Sequence, residues 1–277
     1  MKTLMCMGSN KISLGIIGKP NSGKSTLFNT LLGDYISPVG DEYGLTKTIH
    51  KKKFIHRNNE FTIIDTPGLR RKSKVVVKEE LIRNTEVLRL TKNVDVIILL
   101  IDSLENITRQ DFRLADLAIS KNKVLFFLFN KIDLIDDKKT FKLNLNRYLK
   151  NNYSKYRLIN IKFISAKKNI NIKSVLNEII YKKNLLSVEI KKQNLKKLII
   201  YLNKKANFPK LNKREIKPKY IVQVKNHIPK FKIFLNINKK PPAIFQKYFD
   251  NAFRNYFRLE GIPIIYDFKM SNNPYVN

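Results

Sequence analysis

The sequence predicts a three-layer α/β domain followed by a small, basic α+β module. Short, continuously apolar segments alternate with segments of helical spacing, and the first apolar segment ends in a glycine-rich loop. The composition and the order of elements then change near residue 185. We therefore expect one domain over residues 10–184 and a second over residues 185–277.

The apolar segments of the first domain are expected to be strands of a mostly parallel sheet with helices on both faces. They are Ile12–Ile17, Ile49–His56, Glu60–Asp65, Val94–Ile101, Val124–Phe129 and Ile161–Ile164. Helical spacing is found at Ser25–Leu32, Val77–Leu90, Arg109–Ser120, Lys138–Asn151 and Ile172–Tyr181.

The second domain is expected to have the order α-β-β-α-β, with one sheet and its helices on one face. Its first helix is expected over Val188–Ala206, followed by a loop over Asn207–Pro218. The remaining elements are expected at Tyr220–Lys225, Phe231–Asn238, Ala243–Leu259 (a helix begun by Pro241-Pro242) and Ile264–Phe268.

The chain is strongly basic. Its 277 residues include 55 Lys and Arg against 22 Asp and Glu, which gives a formal net charge of +33. Such a surface attracts polyanions, of which RNA is the commonest in a cell, although charge runs are often only solvated surface. Cys6 is the single cysteine, no apolar run is long enough to span a bilayer, and no signal peptide is recognised. A cytoplasmic protein that does not enter a membrane is expected.

The first chemical motif is the loop Gly18-Lys19-Pro20-Asn21-Ser22-Gly23-Lys24-Ser25, followed by Thr26. It follows an apolar strand and begins a helix, which is the setting of a phosphate-binding loop. Backbone N–H groups and the helix N-terminus then point at the phosphates of a nucleoside triphosphate. Lys24 is expected to contact the β- and γ-phosphates, and the Ser25 hydroxyl is expected to ligate Mg²⁺.

The second motif is Asn130-Lys131-Ile132-Asp133, which follows the fifth predicted strand. It is expected to determine which base the site accepts. Asp133 can accept hydrogen bonds from N1–H and the 2-amino group of guanine, which adenine does not offer. Asn130 is expected to tie this loop to the phosphate loop, and the Lys131 stem is expected to cover the base. Ser165-Ala166-Lys167 follows the next strand, where the Ala166 N–H can reach guanine O6.

Two further segments are expected to sense the γ-phosphate. Asp65-Thr66-Pro67-Gly68-Leu69 follows the third strand, and Asp65 is expected to hold Mg²⁺ through water while the Gly68 N–H contacts the phosphate. Thr46, favoured over Thr48, is expected to close over Mg²⁺ in the triphosphate state. The motifs occur in the order and positions that predict a GTPase.

The chain resembles the second GTPase domain and the C-terminal KH-like domain of the bacterial ribosome-assembly GTPase family Der, also called EngA. The resemblance rests on the motifs above, on the basic run Arg70-Arg71-Lys72, and on three C-terminal segments: Tyr256-Phe257-Arg258, Gly261-Ile262-Pro263-Ile264 and Asn273-Pro274-Tyr275-Val276-Asn277. It implies maturation of the large ribosomal subunit, with the KH-like domain and the switch regions contacting rRNA.

The same resemblance implies a mechanism and an additional partner. Leu69 occupies the place where signalling-type GTPases carry a glutamine, and an aliphatic side chain cannot orient water. In related GTPases the asparagine at the position of Asn21 helps to hold K⁺, so the resemblance implies slow, K⁺-stimulated hydrolysis with Lys24, Asn21, Thr46 and Gly68 as the catalytic group. The family has two tandem GTPase domains and this chain has room for one. A separately encoded first GTPase domain is therefore an expected partner, with loss or truncation as alternatives.

Two alternative functions stay open at this point. An Era-like GTPase would act on the small subunit, but the C-terminal region has only Gly261 where an RNA-gripping KH module has Gly-x-x-Gly. A non-hydrolysing rRNA-binding scaffold is the other, and the intact motif residues argue against it. In either case aromatic residues interleaved with the basic charge could stack on bases, namely Tyr201, Phe208 and Tyr220.

Overall fold

The computed structural model describes residues 11–33, 50–65, 88, 91–205, 210–211 and 214–270. The chain divides into two units, residues 1–183 and residues 184–277. Within these residues the first unit has a six-stranded sheet and the second a three-stranded sheet. Both agree with the predicted fold class, a mostly parallel α/β domain followed by a small α+β domain.

The sheet of the first unit has the order β2-β3-β1-β4-β5-β6; of these described strands, β2 alone is antiparallel to its neighbour. Its strands are β1 (Lys11–Gly18), β2 (His50–His56), β3 (Asn59–Asp65), β4 (Val96–Asp102), β5 (Val124–Asn130) and β6 (Ile159–Phe163). The helices of this unit are α1 (Lys24–Gly33), α2 (Arg109–Ser120), α3 (Lys138–Asn152) and α4 (Ile172–Leu185).

The core of this unit lies between the two central strands and the helices that cover them. Every residue of β4 and β5 is buried, as the uninterrupted apolar runs in the sequence require. α2 contributes Leu114, Ala115 and Ala118 to a core cluster that also contains Leu99 and Phe127. The small alanine side chains let the helix approach the sheet closely while the polar face of α2 stays in solvent.

Three parallel strands end at the same edge of this sheet. The last residues of β1, β4 and β5 are Gly18, Asp102 and Asn130, and Asp102 lies beside Asn130 in register. The loops that follow therefore converge, and the carboxyl edge of a parallel sheet is where such folds bind ligands. No helix in the described part of the chain is both long and apolar enough to cross a lipid bilayer.

The second unit has the sheet order β11-β10-β9, in which β9 is antiparallel and β11 parallel to β10. It contains α5 (Lys192–Lys205), the short pair β7 (Lys210–Leu211) and β8 (Arg214–Glu215), β9 (Pro218–Val224), β10 (Lys230–Leu235), α6 (Ala243–Phe257) and β11 (Ile265–Lys269). Aromatic residues of α6, including Phe249 and Phe253, pack against Tyr266 of β11 and form the centre of this unit.

Two expectations for this unit were wrong in detail. The first helix begins at Lys192 rather than Val188, because the side chain of Gln223 on β9 binds the backbone before it. Gln223 donates to the Val188 carbonyl at 2.7 Å and accepts from the Ile190 N–H at 2.8 Å. The expected loop over 207–218 contains the β7–β8 pair, and β9 already begins at Pro218.

The predicted helix Val77–Leu90 of the first unit lies outside the described residues except for Leu88.

Candidate functional site

The loop between β1 and α1 wraps around its own lysine. The Lys24 ammonium group donates to the carbonyl of Gly18 at 2.9 Å and to that of Lys19 at 2.6 Å. Asn21 has φ 62°, a left-handed conformation that asparagine tolerates better than most residues. The loop ends where α1 begins, so the first turn of that helix, with its N-terminal backbone N–H groups, starts at Lys24 itself. This arrangement suits an anion such as a phosphate group.

The side chain of Asn130 joins three loops. Its amide nitrogen donates to the Ser22 carbonyl of the phosphate loop at 2.8 Å, which is the tie that the sequence predicts. Its amide oxygen accepts from the Ala166 N–H at 2.9 Å. Gly23 has φ 95°, and a Cβ atom at this position would overlap the Asn130 amide nitrogen. Glycine is needed here both for its backbone conformation and for this close approach.

The Ala166 N–H has a partner within the protein. It is predicted to reach guanine O6, and in this structure it donates to Asn130. A bound base would have to share that donor. The Ala166 carbonyl accepts from the Thr30 hydroxyl at 2.8 Å, which fixes the loop after β6 against α1.

Asp133 lies on the wall of a cavity of about 380 Å³. The cavity is lined by residues of all three loops and of α1, namely Gly23, Thr26, Asn130, Lys131, Asp133, Leu134, Ser165, Lys167 and Lys168. Seven of these nine are among the residues that the sequence predicts for nucleotide binding. Leu134 and Lys168 were missed, because neither belongs to a motif.

The carboxyl group of Asp133 is held ionised. Its side chain is only 8% exposed, and Lys168 Nζ lies 3.5 Å from Oδ2. Hydrogen bonding from the Ser165 hydroxyl holds the pKa of the Asp133 carboxyl below its ordinary value, and Lys168 acts in the same direction against the effect of burial. An ionised carboxylate accepts hydrogen bonds but donates none, so this wall of the cavity suits a ligand with N–H groups.

Lys131 is positioned by the carboxylate of Asp102, which lies outside the predicted motifs. The residue has φ 64°, and its ammonium group forms an ion pair with Asp102 at the end of β4. Asp102 also accepts from the Leu104 N–H at 3.1 Å, which holds the carboxylate in place. The pair fixes the lysine stem along the cavity. The sequence feature that could have indicated this contact is an acidic residue directly after a predicted apolar strand.

A second missed contact holds Lys19 of the phosphate loop. Its ammonium group lies 3.4 Å from Asp111 Oδ2 and 3.6 Å from Glu105 Oε2. Asp111 is buried at the first turn of α2, where it also accepts from the N–H and the hydroxyl of Thr108, both at 2.8 Å. The side chain of Lys19 is thus directed to α2, and its carbonyl accepts from Lys24.

The remaining predicted residues are placed only in part. Thr46, Thr66, Pro67, Gly68 and Leu69 lie outside the described residues, and so does the side chain of Asp65, the last residue of β3. Ser25 lies in the first turn of α1 and is exposed, Ile132 is buried, and Pro20 is exposed at the turn of the phosphate loop. Within the described residues there is no cluster of three or more His, Cys, Asp or Glu that could hold a metal ion.

Comparison with known proteins agrees with this geometry. Residues 13–131 match the protein family described as "50S ribosome-binding GTPase", and residues 189–269 match "KH-domain-like of EngA bacterial GTPase enzymes, C-terminal". GTPase Der of Rickettsia prowazekii is 29% identical over 269 residues, which cover 96% of this chain and 60% of that protein. GTPase Der of Borreliella burgdorferi is 34% identical over 258 residues, which cover 93% and 58%.

The chain therefore spans about 60% of the length of the curated relatives that it matches. Its similarity to the solved structure of Era from Aquifex aeolicus is lower, with 19% identity and a TM-score of 0.47 over 95% of each chain. The two family matches fall one in each unit, and the Der relatives cover both units together. Both units of the chain thus match the EngA (Der) family of bacterial GTPases.

Proposed function

We propose that the chain binds GTP with Mg²⁺ and hydrolyses it to GDP and phosphate. The observation that carries this proposal is the ionised Asp133 carboxylate on the wall of a cavity whose other side is the start of α1. Guanine offers two N–H donors to that carboxylate, and the phosphates would follow the α1 N-terminus and Lys24. The Asn130 tie to Ser22 keeps the two halves of the cavity at a fixed spacing.

Ser25 fits a Mg²⁺ ion that is shared with the nucleotide. Its hydroxyl lies in the first turn of α1, and Mg²⁺ is usually held by one or two protein oxygens, substrate phosphates and water rather than by a full protein cage. When bound, the ion would neutralise charge that develops on the phosphates. Asp65 and Thr46 complete the proposed metal group, and Thr66, Pro67, Gly68 and Leu69 complete the proposed phosphate side.

Equilibrium binding tests this proposal. Calorimetric titration of the wild-type chain should show binding of GTP and not of ATP, and Lys24→Ala should weaken GTP binding because the phosphates lose their cation. Equal affinity for GTP and ATP would contradict the assignment of Asp133. If Lys24→Ala has no effect on nucleotide or ribosome binding, the non-hydrolysing scaffold becomes the better interpretation.

A potassium ion is part of the proposed mechanism. Asn21 is exposed at the turn of the phosphate loop, so its side-chain oxygen is available as a hard ligand beside the phosphates. Hydrolysis is expected to be slow in the absence of K⁺, because Leu69 cannot orient water. Turnover should be higher in KCl than in NaCl of equal ionic strength, and Asn21→Gly, which tolerates the same φ, should abolish the difference. Equal turnover in the two salts would contradict the role of K⁺.

We further propose that the chain acts in assembly of the large ribosomal subunit and contacts rRNA, and so works in the cytoplasm. The family description of residues 13–131 supports this, and so does the charge of residues 184–277, of which twenty are Lys or Arg and five are Asp or Glu. A separately encoded GTPase domain is the second partner that we propose. Phosphate contacts would make the association strongly salt-dependent.

Co-sedimentation with purified ribosomal subunits, in GDP and in a non-hydrolysable GTP analogue, tests the partner. Binding to the large subunit that depends on the nucleotide is the expected result. Binding to the small subunit alone would favour the Era-like alternative.

A further inference from the structure

The sheet of the second unit has two faces of different chemistry. Ile221, Phe231 and Ile233 are buried toward the helices, and Phe231 stacks against Phe253 of α6. The intervening residues of each strand must point to the opposite face, because side chains alternate along a strand. We call that opposite side the outer face. The outer face has three rows of paired residues, one residue from each strand. The rows are Tyr220, Phe234 and Lys269; Val222, Lys232 and Asp267; and Val224, Lys230 and Ile265.

Two aromatic side chains lie exposed on the outer face. Tyr220 on β9 is directly opposite Phe234 on β10, and their ring centroids are 6.1 Å apart. Tyr220 is 52% exposed and Phe234 is 39% exposed, so each ring keeps much of its surface open to solvent. Exposed aromatic pairs of this kind are costly to hydrate and are suited to stacking on planar groups.

Lysines surround this pair on the same face. Lys269 lies beside Phe234 in register, and Lys232 and Lys230 follow along β10. The acidic residue of the outer face is Asp267, which lies 3.2 Å from Lys269 and neutralises it in part. The balance of the face is therefore positive, as it is for the whole unit.

We propose that the outer face binds single-stranded RNA, with bases stacked on Tyr220 and Phe234 and phosphates along Lys230 and Lys232. The proposal rests on the proposed ribosome-directed function and specifies the surface that would contact RNA. Unpaired bases offer planar faces to the aromatic rings, whereas a duplex keeps its bases stacked and inaccessible. A protein partner for an apolar sheet face would not require the lysines of β10.

A second aromatic pair in the same unit provides a matched control. Tyr201 on α5 and Tyr256 on α6 have ring centroids 5.3 Å apart and are 42% and 37% exposed. This pair lies on the helices and not on the outer face. Variants at the two sites therefore compare exposed aromatic pairs of similar size in one basic unit.

The test measures binding of a single-stranded RNA of about 12 nucleotides to the full chain. The chain has no tryptophan, so Tyr220→Trp introduces a single reporter on the outer face. Its fluorescence should be quenched as RNA binds, and a hairpin duplex of equal length should compete poorly. Tyr220→Leu and Phe234→Leu, which stay apolar but lose stacking, should each weaken binding about fivefold or more, while Tyr220→Phe should retain it.

The control variants decide between this surface and general basic attraction. Tyr201→Leu should leave the affinity within about twofold, and circular dichroism of each variant should match wild type. Equal losses at Tyr201 and Tyr220, or no quenching in Tyr220→Trp, would overturn the proposal. The proposal would also be overturned if the wild-type chain binds no single-stranded RNA and Tyr220→Leu nevertheless loses co-sedimentation with ribosomes. That result would assign the outer face to a protein partner. RNA binding through this face without ribosome association would instead refute only the ribosomal function.

Discussion

The ammonium group of Lys19 lies 3.4 Å from Oδ2 of Asp111, so the phosphate loop is held to the first turn of α2. The contact crosses from the loop after β1 to the helix after β4. The Lys19 carbonyl in turn accepts from Lys24, the cation of the proposed phosphate site. The ion pair thus joins the loop that holds that cation to a carboxylate outside the predicted nucleotide-binding motifs.

Replacing Asp111 should affect both stability and nucleotide affinity. Asp111→Asn removes the buried one of the two carboxylates that Lys19 contacts and weakens the hydrogen bonds from Thr108, which should lower the free energy of unfolding by about 1–3 kcal/mol. It should also weaken GTP binding, because the phosphate loop loses its ion pair with α2. Calorimetric GTP titration and urea unfolding measure the two effects.

Asp116 is the matched control, since it lies on the same helix but away from the loop. It accepts from Lys155 at 2.7 Å and from the Tyr153 hydroxyl at 2.8 Å. Asp116→Asn should lower stability without changing GTP affinity. Equal losses of affinity in the two variants would show that the Lys19 contact has no special role.

Gly23 should not accept even the smallest side chain. Gly23→Ala would place a methyl group against the Asn130 amide and strain a backbone with φ 95°, so GTP affinity should fall at least about tenfold and the Tm should drop. Gly33→Ala is the control, because a Cβ there meets nothing within 4 Å in the described structure. It should be neutral or stabilise by about 0.4–1 kcal/mol. A Gly23→Ala chain with wild-type affinity would refute the close approach.

Asp133→Asn should exchange the preferred base. An amide can accept from N1–H but presents a donor where the 2-amino group of guanine lies, so GTP affinity should fall about a hundredfold or more. Xanthine has a carbonyl at that position, and xanthosine triphosphate should bind in its place. Competition titrations of the two nucleotides measure the exchange. Asp136→Asn, an exposed neighbour, should change neither affinity, and failure of Asp133→Asn to bind xanthosine triphosphate would count against the proposed contact.

Asp95 should make the stability of the first unit depend on pH. Its carboxylate accepts from Lys183 at 2.7 Å and from the Ser13 N–H and hydroxyl at 3.0 and 2.8 Å. Burial acts to raise the pKa of Asp95, but Lys183 and Ser13 outweigh it and hold the pKa below the ordinary value. The pKa of Asp95 is thus lower in the folded chain than in the unfolded chain. Its contribution to the free energy of unfolding is complete above the unfolded-state pKa and is lost as pH falls through the folded-state pKa.

Urea unfolding between pH 7 and pH 3 measures this dependence. Asp95→Asn should be less stable than wild type at pH 7, and the gap should narrow as pH falls below about 4, the pKa of the unfolded carboxyl, toward the lower pKa of the folded one. A gap that stays constant over the whole range would rule out Asp95 as its source.

The sequence predicts the strands well because their signal is local. β4 and β5 are uninterrupted apolar runs and are buried throughout, so pattern and structure depend on the same residues. The strand ends also locate the site, since the motif loops begin at Gly18 and Asn130. Helix boundaries in the second unit were less predictable. The start of α5 is set by Gln223, 35 residues from Val188, and no local pattern carries that information.

Contacts between motif and non-motif residues were missed for the same reason. Lys19 and Asp111 are far apart in the sequence, and so are Lys131 and Asp102. Each is an ordinary charged residue until the sheet order brings its loop beside the other. The motif residues could be assigned because their spacing along the chain is fixed by the ligand, whereas the supporting carboxylates are fixed only by the fold.

The single amide of Asn130 has a thermodynamic consequence for the whole site. It connects the loop that would contact the base with the loop that would contact the phosphates, so ordering one loop also orders part of the other. The conformational entropy of closing the site is then lost once rather than twice. Guanosine and pyrophosphate, bound separately, would each bear that cost in full, and each would favour binding of the other. We therefore expect the site to bind intact nucleotides in preference to their fragments.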